Sequence, residues 1–303
     1  MIRKPPGKKH LGQHISKKGL SAESNTVYKV WSVAKVFTAI ETMRLVEDGL
    51  VDLDTPFAEY LLDVSILGRF PDSAPISICS ILPHRAGLPR DECHWIDFNE
   101  HALAGLIESL EDCRQAYPVN SQFKYSNIGF DLLRYLIQEM RGESFPDYLR
   151  KNLLQPIGME KSTFLRAQIP AQLDVALGYE YFKRNYYPYE QGNITGFPSG
   201  NLCSTIEDMG LFAKFIFRRG EVNGEQMIKP ETLDEMFTEQ SSDKRNLQPM
   251  GLGWKTAYIL GSERMIWHDG GAGEGIGAVV PRSWEQGLAR FKRENDRSGL
   301  PFY

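Results

Sequence analysis

Strand-like runs in this chain are gathered near its end, and that placement most limits what it can fold into. The runs are GLGWKTAYIL, MIWHDG and GIGAVV, the first two separated by a Gly-Ser-Glu-Arg turn. They predict an antiparallel hairpin and one more strand. Upstream the apolar residues recur at helical spacing instead. Val33, Val36, Phe37, Ile40 and Met43 share one face of a helix that Gly49 stops. Further helices are predicted across Asn99 to Asp112 and from Ile128 to Arg141, the second closed by Gly142. Ser144 caps a short helix with Pro146 near its first turn. Ser204-Thr205-Ile206-Glu207 has the form of a capping box, opening a helix through Met209, Phe212, Phe215 and Ile216 that stops at Gly220. The tyrosine-rich YEYFKRNYYPYEQGN reads as a long loop or lid. The expected class is α/β of the α+β kind: an antiparallel sheet with packed helices plus a mainly helical region.

The 303 residues, 42% hydrophobic and 24% charged, suffice for a sizeable core. A net charge of -4 argues against nucleic acid as a partner, because binding it needs a concentrated basic face. Cys79, Cys93, Cys113 and Cys203 show no metal-ligand or disulfide spacing and read as free thiols in or near a core. His94 and His101 have no partner at ligand spacing either, so no metal is expected. No run reaches the roughly eighteen apolar residues of a membrane span. The basic opening MIRKPPGKKHLGQHISKKG lacks the apolar middle of a secretory signal. A cytoplasmic location is the expectation; a mitochondrial presequence is the lesser alternative, weakened by Pro5-Pro6-Gly7 and a single arginine.

Three Ser-x-x-Lys sequences occur, and context separates them. Ser121 to Lys124 falls in a loop and Ser241 to Lys244 in the polar run QSSDKRN. Only Ser32-Val33-Ala34-Lys35 opens a long apolar-faced helix, where residues three apart are neighbours. A serine hydroxyl becomes a nucleophile when a base takes its proton, and a lysine serves once burial or nearby charge lets it be neutral part of the time. A capping serine beside a surface lysine would look the same, so the pair needs support. Tyr125-Ser126-Asn127, the one Tyr-x-Asn in the chain, stands just before a helix start. A tyrosine beside a lysine can pass protons, and an asparagine can hold the lysine and a substrate carbonyl or amide. Trp267-His268-Asp269-Gly270-Gly271 lies on a predicted strand, where glycines let a substrate approach the backbone and leave N–H groups for an oxyanion.

The order Ser-x-x-Lys, Tyr-x-Asn, His-x-Gly resembles the serine β-lactamase and penicillin-binding-protein superfamily, particularly its class C, esterase and D-alanyl-D-alanine carboxypeptidase branch. LVEDGLVDLDTP, ILPHRAGLP, YSNIGFDLLRYLIQEMRGESFPDYL, LLQPIGMEKSTF and SGNLCSTIEDMGLFAKFI extend the resemblance over about residues 25 to 280. It implies Ser32 as the acylated nucleophile, Lys35 and Tyr125 as the proton-handling pair, and Asn127 as a substrate and lysine contact. His268 stands where many relatives have lysine, with Gly270 beside it in substrate binding. The oxyanion hole would use the N–H groups of Ser32 and Gly271. Ser199-Gly-Asn201 and Lys255-Thr-Ala257 imitate two of the motifs but align with non-catalytic segments. His84 falls in a stretch that is mainly structural in the family, with Arg85 and Ala86 replacing its small hydroxyl residues.

The resemblance implies one β-lactamase-related domain over 1–303, with a helical subregion at about 50–240 and a sheet subregion from about 10–30 and 251–303. Only 31 residues precede Ser32, and the further strand expected after GIGAVVP is not visible, so the sheet should be short at both edges. Trp284, Leu288 and Phe291, at helical spacing, predict a last helix packed over it; a second copy of the chain, making a homodimer, is the other way to cover the edge. The implied function is acyl transfer to water from a small-molecule ester or amide, through an acyl-serine and with no cofactor. The alternative is a non-catalytic relative that keeps the pocket for binding or scaffolding.

Overall fold

The structure, a computed structural model, describes residues 22–61, 68–91, 113–183, 185–191, 200–240, 249–259, 263–271, 275–281 and 290–293. The helix expected across Asn99 to Asp112, and Cys93, His94, His101, Ser199, Ser241, Lys244, Trp284 and Leu288, lie outside those residues.

A single turn of 3-10 helix, Trp31–Val33, runs directly into α1, Ala34–Glu47. Gly49, at φ +69°, takes the left-handed conformation that ends it, and Leu50 N–H returns to Leu45 O at 3.0 Å. The sequence predicts one apolar face for α1, but every residue from Ala34 to Met43 is buried. The helix is therefore central, with no solvent side. Its polar residues tolerate this because most of their polar atoms are paired nearby. Thr42 Oγ1 donates to Thr38 O at 2.9 Å, and Arg44 Nη1 pairs with the buried Glu41 at 2.7 Å.

After α2 (Ile78–Ile81) comes α3, Asn127–Arg141, which packs against α1. Ser126 caps α3, its hydroxyl accepting from Gly129 N–H at 3.1 Å, and Gly142 closes it. α4 (Phe145–Leu149) and α5 (Gln155–Ile157) follow, joined by a π-helical segment. α6 spans Ile206–Phe217, and its cap is Thr205, accepting from Asp208 N–H at 3.1 Å, one residue later than the capping box placed it. α7 is Pro230–Phe237. An aromatic series ties these helices together: Phe37 of α1 stacks on Phe212 of α6 at 4.1 Å, Phe212 on Trp254 at 6.3 Å, and Phe237 of α7 meets Trp254 edge-on at 5.4 Å.

The strands are β1 (Tyr28–Lys29) paired with β4 (Cys203–Ser204), the hairpins β2–β3 (Gly178–Phe182, Asn185–Tyr189) and β5–β6 (Glu221–Val222, Glu225–Gln226), and a four-stranded antiparallel sheet. That sheet runs in the order β10 (Arg290–Arg293), β9 (Gly275–Pro281), β8 (Glu263–Gly271), β7 (Lys255–Ile259). The expected class, an antiparallel sheet with packed helices, is what the chain adopts. Two expectations change. The tyrosine-rich stretch is a hairpin, not a loop. Phe291 belongs to a strand, not a helix, and pairs with Ala278; β10 is the strand beyond β9 that the sequence did not reveal. The open edge of β9 needs hydrogen-bond partners, and at Phe291 that requirement overrides the helical spacing. Cys79, Cys113 and Cys203 are free thiols, Cys203 buried and the others half-buried.

Candidate active site

The site forms where the start of α1, the start of α3 and the end of β8 converge. The 3-10 turn places Ser32 one turn before Lys35, whose side chain is fully buried. Lys35 Nζ lies 3.4 Å from Ser32 Oγ and donates to Asn127 Oδ1 at 2.7 Å. It also sits 5.0 Å from the centroid of the Tyr125 ring and 5.5 Å from that of Phe130. Burial brings the Lys35 ammonium down to about 7, against the opposing pull of Asp131 and Asp91. Burial raises Tyr125, partly offset by its hydrogen bond with Ser32, so the phenol keeps its proton. Ser32, Lys35, Tyr125 and Asn127, as the sequence predicts, are brought together.

The Tyr125 segment is held from behind by residues 84 to 91. His84, at φ +59°, accepts Lys124 N–H on its carbonyl at 2.9 Å and Ser126 N–H on its ring Nδ1 at 3.2 Å. Its ring lies 4.3 Å from that of Tyr125. Ser126 Oγ donates to Pro89 O at 2.6 Å, and Asn127 N–H to Arg90 O at 2.7 Å. Arg85, in place of a small hydroxyl residue, donates its guanidinium to Asn120 O and staples the preceding loop.

β8 forms the opposite wall. Gly270 packs so closely on the Ser32 turn that a Cβ there would fall 2.1 Å from Val30 O and 2.9 Å from Ser32 N. Only glycine fits. Gly271 follows at the strand end, opposite Gly275 of β9. Two residues before Gly270, His268 is buried and donates Nδ1–H to Asp269 O at 2.6 Å. Burial, reinforced by the Lys255 and Lys35 cations, holds His268 down at about 3. Among the described residues its Nε2 is buried without a partner. Lys255, the lysine of the Lys-Thr-Ala imitation, is on β7 and pairs with Asp269. Gly270→Ala is expected to lower the unfolding free energy by about 1–3 kcal/mol, read by urea titration; an unchanged midpoint would mean that β8 has room to retreat.

Two acids in the site escape sequence reasoning. Asp91 accepts from Asn127 Nδ2, which turns the amide oxygen toward Lys35, and Asp131 faces Lys35 electrostatically from the first turns of α3. Asp91 directly follows ILPHRAGLPR, but nothing in its spacing announces a contact 36 residues away. Among the described residues, no group of three or more His, Cys, Asp or Glu could hold a metal ion, and no helix is long and apolar enough to cross a membrane.

A family model described as Beta-lactamase matches residues 7–288. The chain is 27% identical over 288 residues to unguisins hydrolase ungD' of Aspergillus campestris (strain IBT 28561), an alignment covering 89% of this chain and 53% of that protein. It spans about half the length of the curated relatives it matches. Its fold is that of the octameric penicillin-binding protein homologue from Pyrococcus abyssi, with a TM-score of 0.75 at 23% identity over 92% of this chain and 64% of that one. The D-amino acid amidase from Ochrobactrum anthropi SV3 complexed with D-phenylalanine has a TM-score of 0.73 at 21% identity, over 93% and 82% of the two chains.

Proposed function

The chain belongs to the beta-lactamase family, and from that premise we propose that it hydrolyses a small ester or amide through an acyl-serine on Ser32. The observation that carries this is a fully buried lysine, brought down to about 7, within 3.4 Å of the serine oxygen. At pH 7 about half of such lysines are neutral, against about one in a few thousand at the ordinary value near 10.4. Neutral Lys35 takes the Ser32 proton as Oγ attacks the acyl carbon. Charge then collects on the carbonyl oxygen, where the amides of Ser32 and Gly271 would receive it. Tyr125, hydrogen-bonded to Ser32 and over the lysine, relays the proton to the leaving oxygen or nitrogen. The leaving group departs, and water resolves the acyl-serine by the same steps in reverse roles. Asn127 holds Lys35 in place and borders the bound acyl group, which lies along β8 at His268 and Gly270.

The competing idea of a non-catalytic relative drew its strength from sheet segments missing at both edges, before Ser32 and beyond β9; only the second is met by a described strand of the sheet. β10 occupies the position beyond β9, so the idea loses that half of its support. The direct test is incubation with an uncharged fluorophosphonate followed by intact mass and peptide mapping. One adduct on the Ser32 peptide is expected; an unmodified chain under conditions that label a known serine hydrolase would remove the proposal.

A further inference from the structure

His268 raises a question that the acyl-serine reading leaves open: what part of a substrate does it face? A protonated imidazole would attract a carboxylate, but here the ring is committed otherwise. Nδ1–H is given to Asp269 O at 2.6 Å. What remains is the lone pair of Nε2, buried and, among the described residues, with no donor to satisfy it. Burial and the nearby cations reinforce that state. Lys255 from β7 and Lys35 from α1 oppose a further positive charge on the ring, and His84, from behind Tyr125, is itself neutral through burial. Asp269 pulls the other way, but its carboxylate is paired with Lys255 and its carbonyl already holds Nδ1–H. A carboxylate against this wall would set acceptor against acceptor, with Lys255 already paired to Asp269. On the Asn127 side Arg90 is likewise paired, at 3.2 Å with Asp91.

We infer that the site selects acyl compounds that are uncharged where they lie against β8, carrying there an N–H or O–H hydrogen for Nε2 of His268 in place of a carboxylate. This rests on the acyl-serine function proposed above. His268 is then a specificity-determining residue that acts as a hydrogen-bond acceptor. It discriminates because an unsatisfied buried acceptor gains from a donor and loses from an anion.

The test uses two pairs of esters in which a carboxylate is exchanged for a carboxamide of the same shape. One pair, 3-carboxyphenyl and 3-carbamoylphenyl phenylacetate, carries the difference in the leaving half. The other, phenyl hydrogen glutarate and phenyl glutaramate, carries it in the acyl half. With kcat/KM normalised to hydroxide-catalysed rates, the carboxamide is expected to be preferred at least tenfold in the pair whose variable group meets β8. That ratio should stay level from pH 8 to pH 6.5, a range in which the imidazole gains no proton and the substrate carboxylates stay ionised, and His268→Lys should narrow it. Equal use of acid and amide in both pairs, preference for the acid, or a ratio that falls as the pH is lowered would overturn the inference. The wild-type pH series decides the matter even if the lysine variant does not fold. Failure of both pairs together with no fluorophosphonate adduct on Ser32 would instead bring down the hydrolase proposal, and this inference with it.

Discussion

Ester turnover by the Ser32→Ala variant is expected to fall by about a millionfold, the scale on which hydrolases lose activity with their nucleophile. The fluorophosphonate adduct should vanish while the thermal midpoint stays near that of the parent. Ser32 is well placed for so clean a result. Its side chain is half-buried at the rim of the core, and losing one hydroxyl leaves Lys35 still bonded to Asn127 at 2.7 Å. The control is Ser121→Ala. Ser121 also stands three residues before a lysine, but it is exposed and its hydroxyl donates to Pro118 O at 2.7 Å, so both labelling and turnover should stay at the parent level. Loss of activity in the folded Ser121 variant would transfer the nucleophile's role to the wrong serine and sink the assignment.

The second large effect concerns Lys35. Lys35→Ala should reduce kcat/KM by about a hundred- to ten-thousandfold, the span of a general base, because Ser32 would then ionise unaided. The parent enzyme's pH profile carries the sign. The base works when neutral, so kcat/KM should be low in acid and rise to a plateau as the pH passes through about 7, where burial places the Lys35 ammonium. Asp91 opposes that burial by favouring the charged lysine, so Asp91→Asn should move the rise to lower pH. A profile flat between pH 6 and 8, or a rise that survives in the Lys35→Ala variant, would point to another base.

The parts of this site that could be read in the sequence are those carried by short spacing. Ser32 and Lys35 are three apart on one helix start, and Tyr125 and Asn127 are two apart at another, so their proximity follows from local geometry. Asp91 could not be found this way, because only the close passage of residues 84 to 91 behind the α3 start brings it to Asn127. The all-round burial of α1 was hidden by Lys35, Thr38, Glu41 and Thr42, polar residues that look like a solvent face until their partners are known. The β2–β3 hairpin turns at Lys183, with φ +48° and no glycine, so the usual turn signature is missing. β10 is only four residues long, too short for alternation to stand out against a competing helical spacing.

The central position of α1 ties catalysis to the order in which the chain assembles. An isolated helix of 14 residues is marginal in water, and this one offers no face on which it could rest half-docked. Phe37 needs Phe212 of α6, and Lys35 needs Asn127 at the head of α3, segments 175 and 92 positions further along the chain. The proposed nucleophile and base therefore meet only after remote parts of the polypeptide have closed around them. A nascent or partly unravelled chain contains Ser32 but no lysine desolvated enough to activate it. The proposed hydrolysis is thereby withheld until folding is complete.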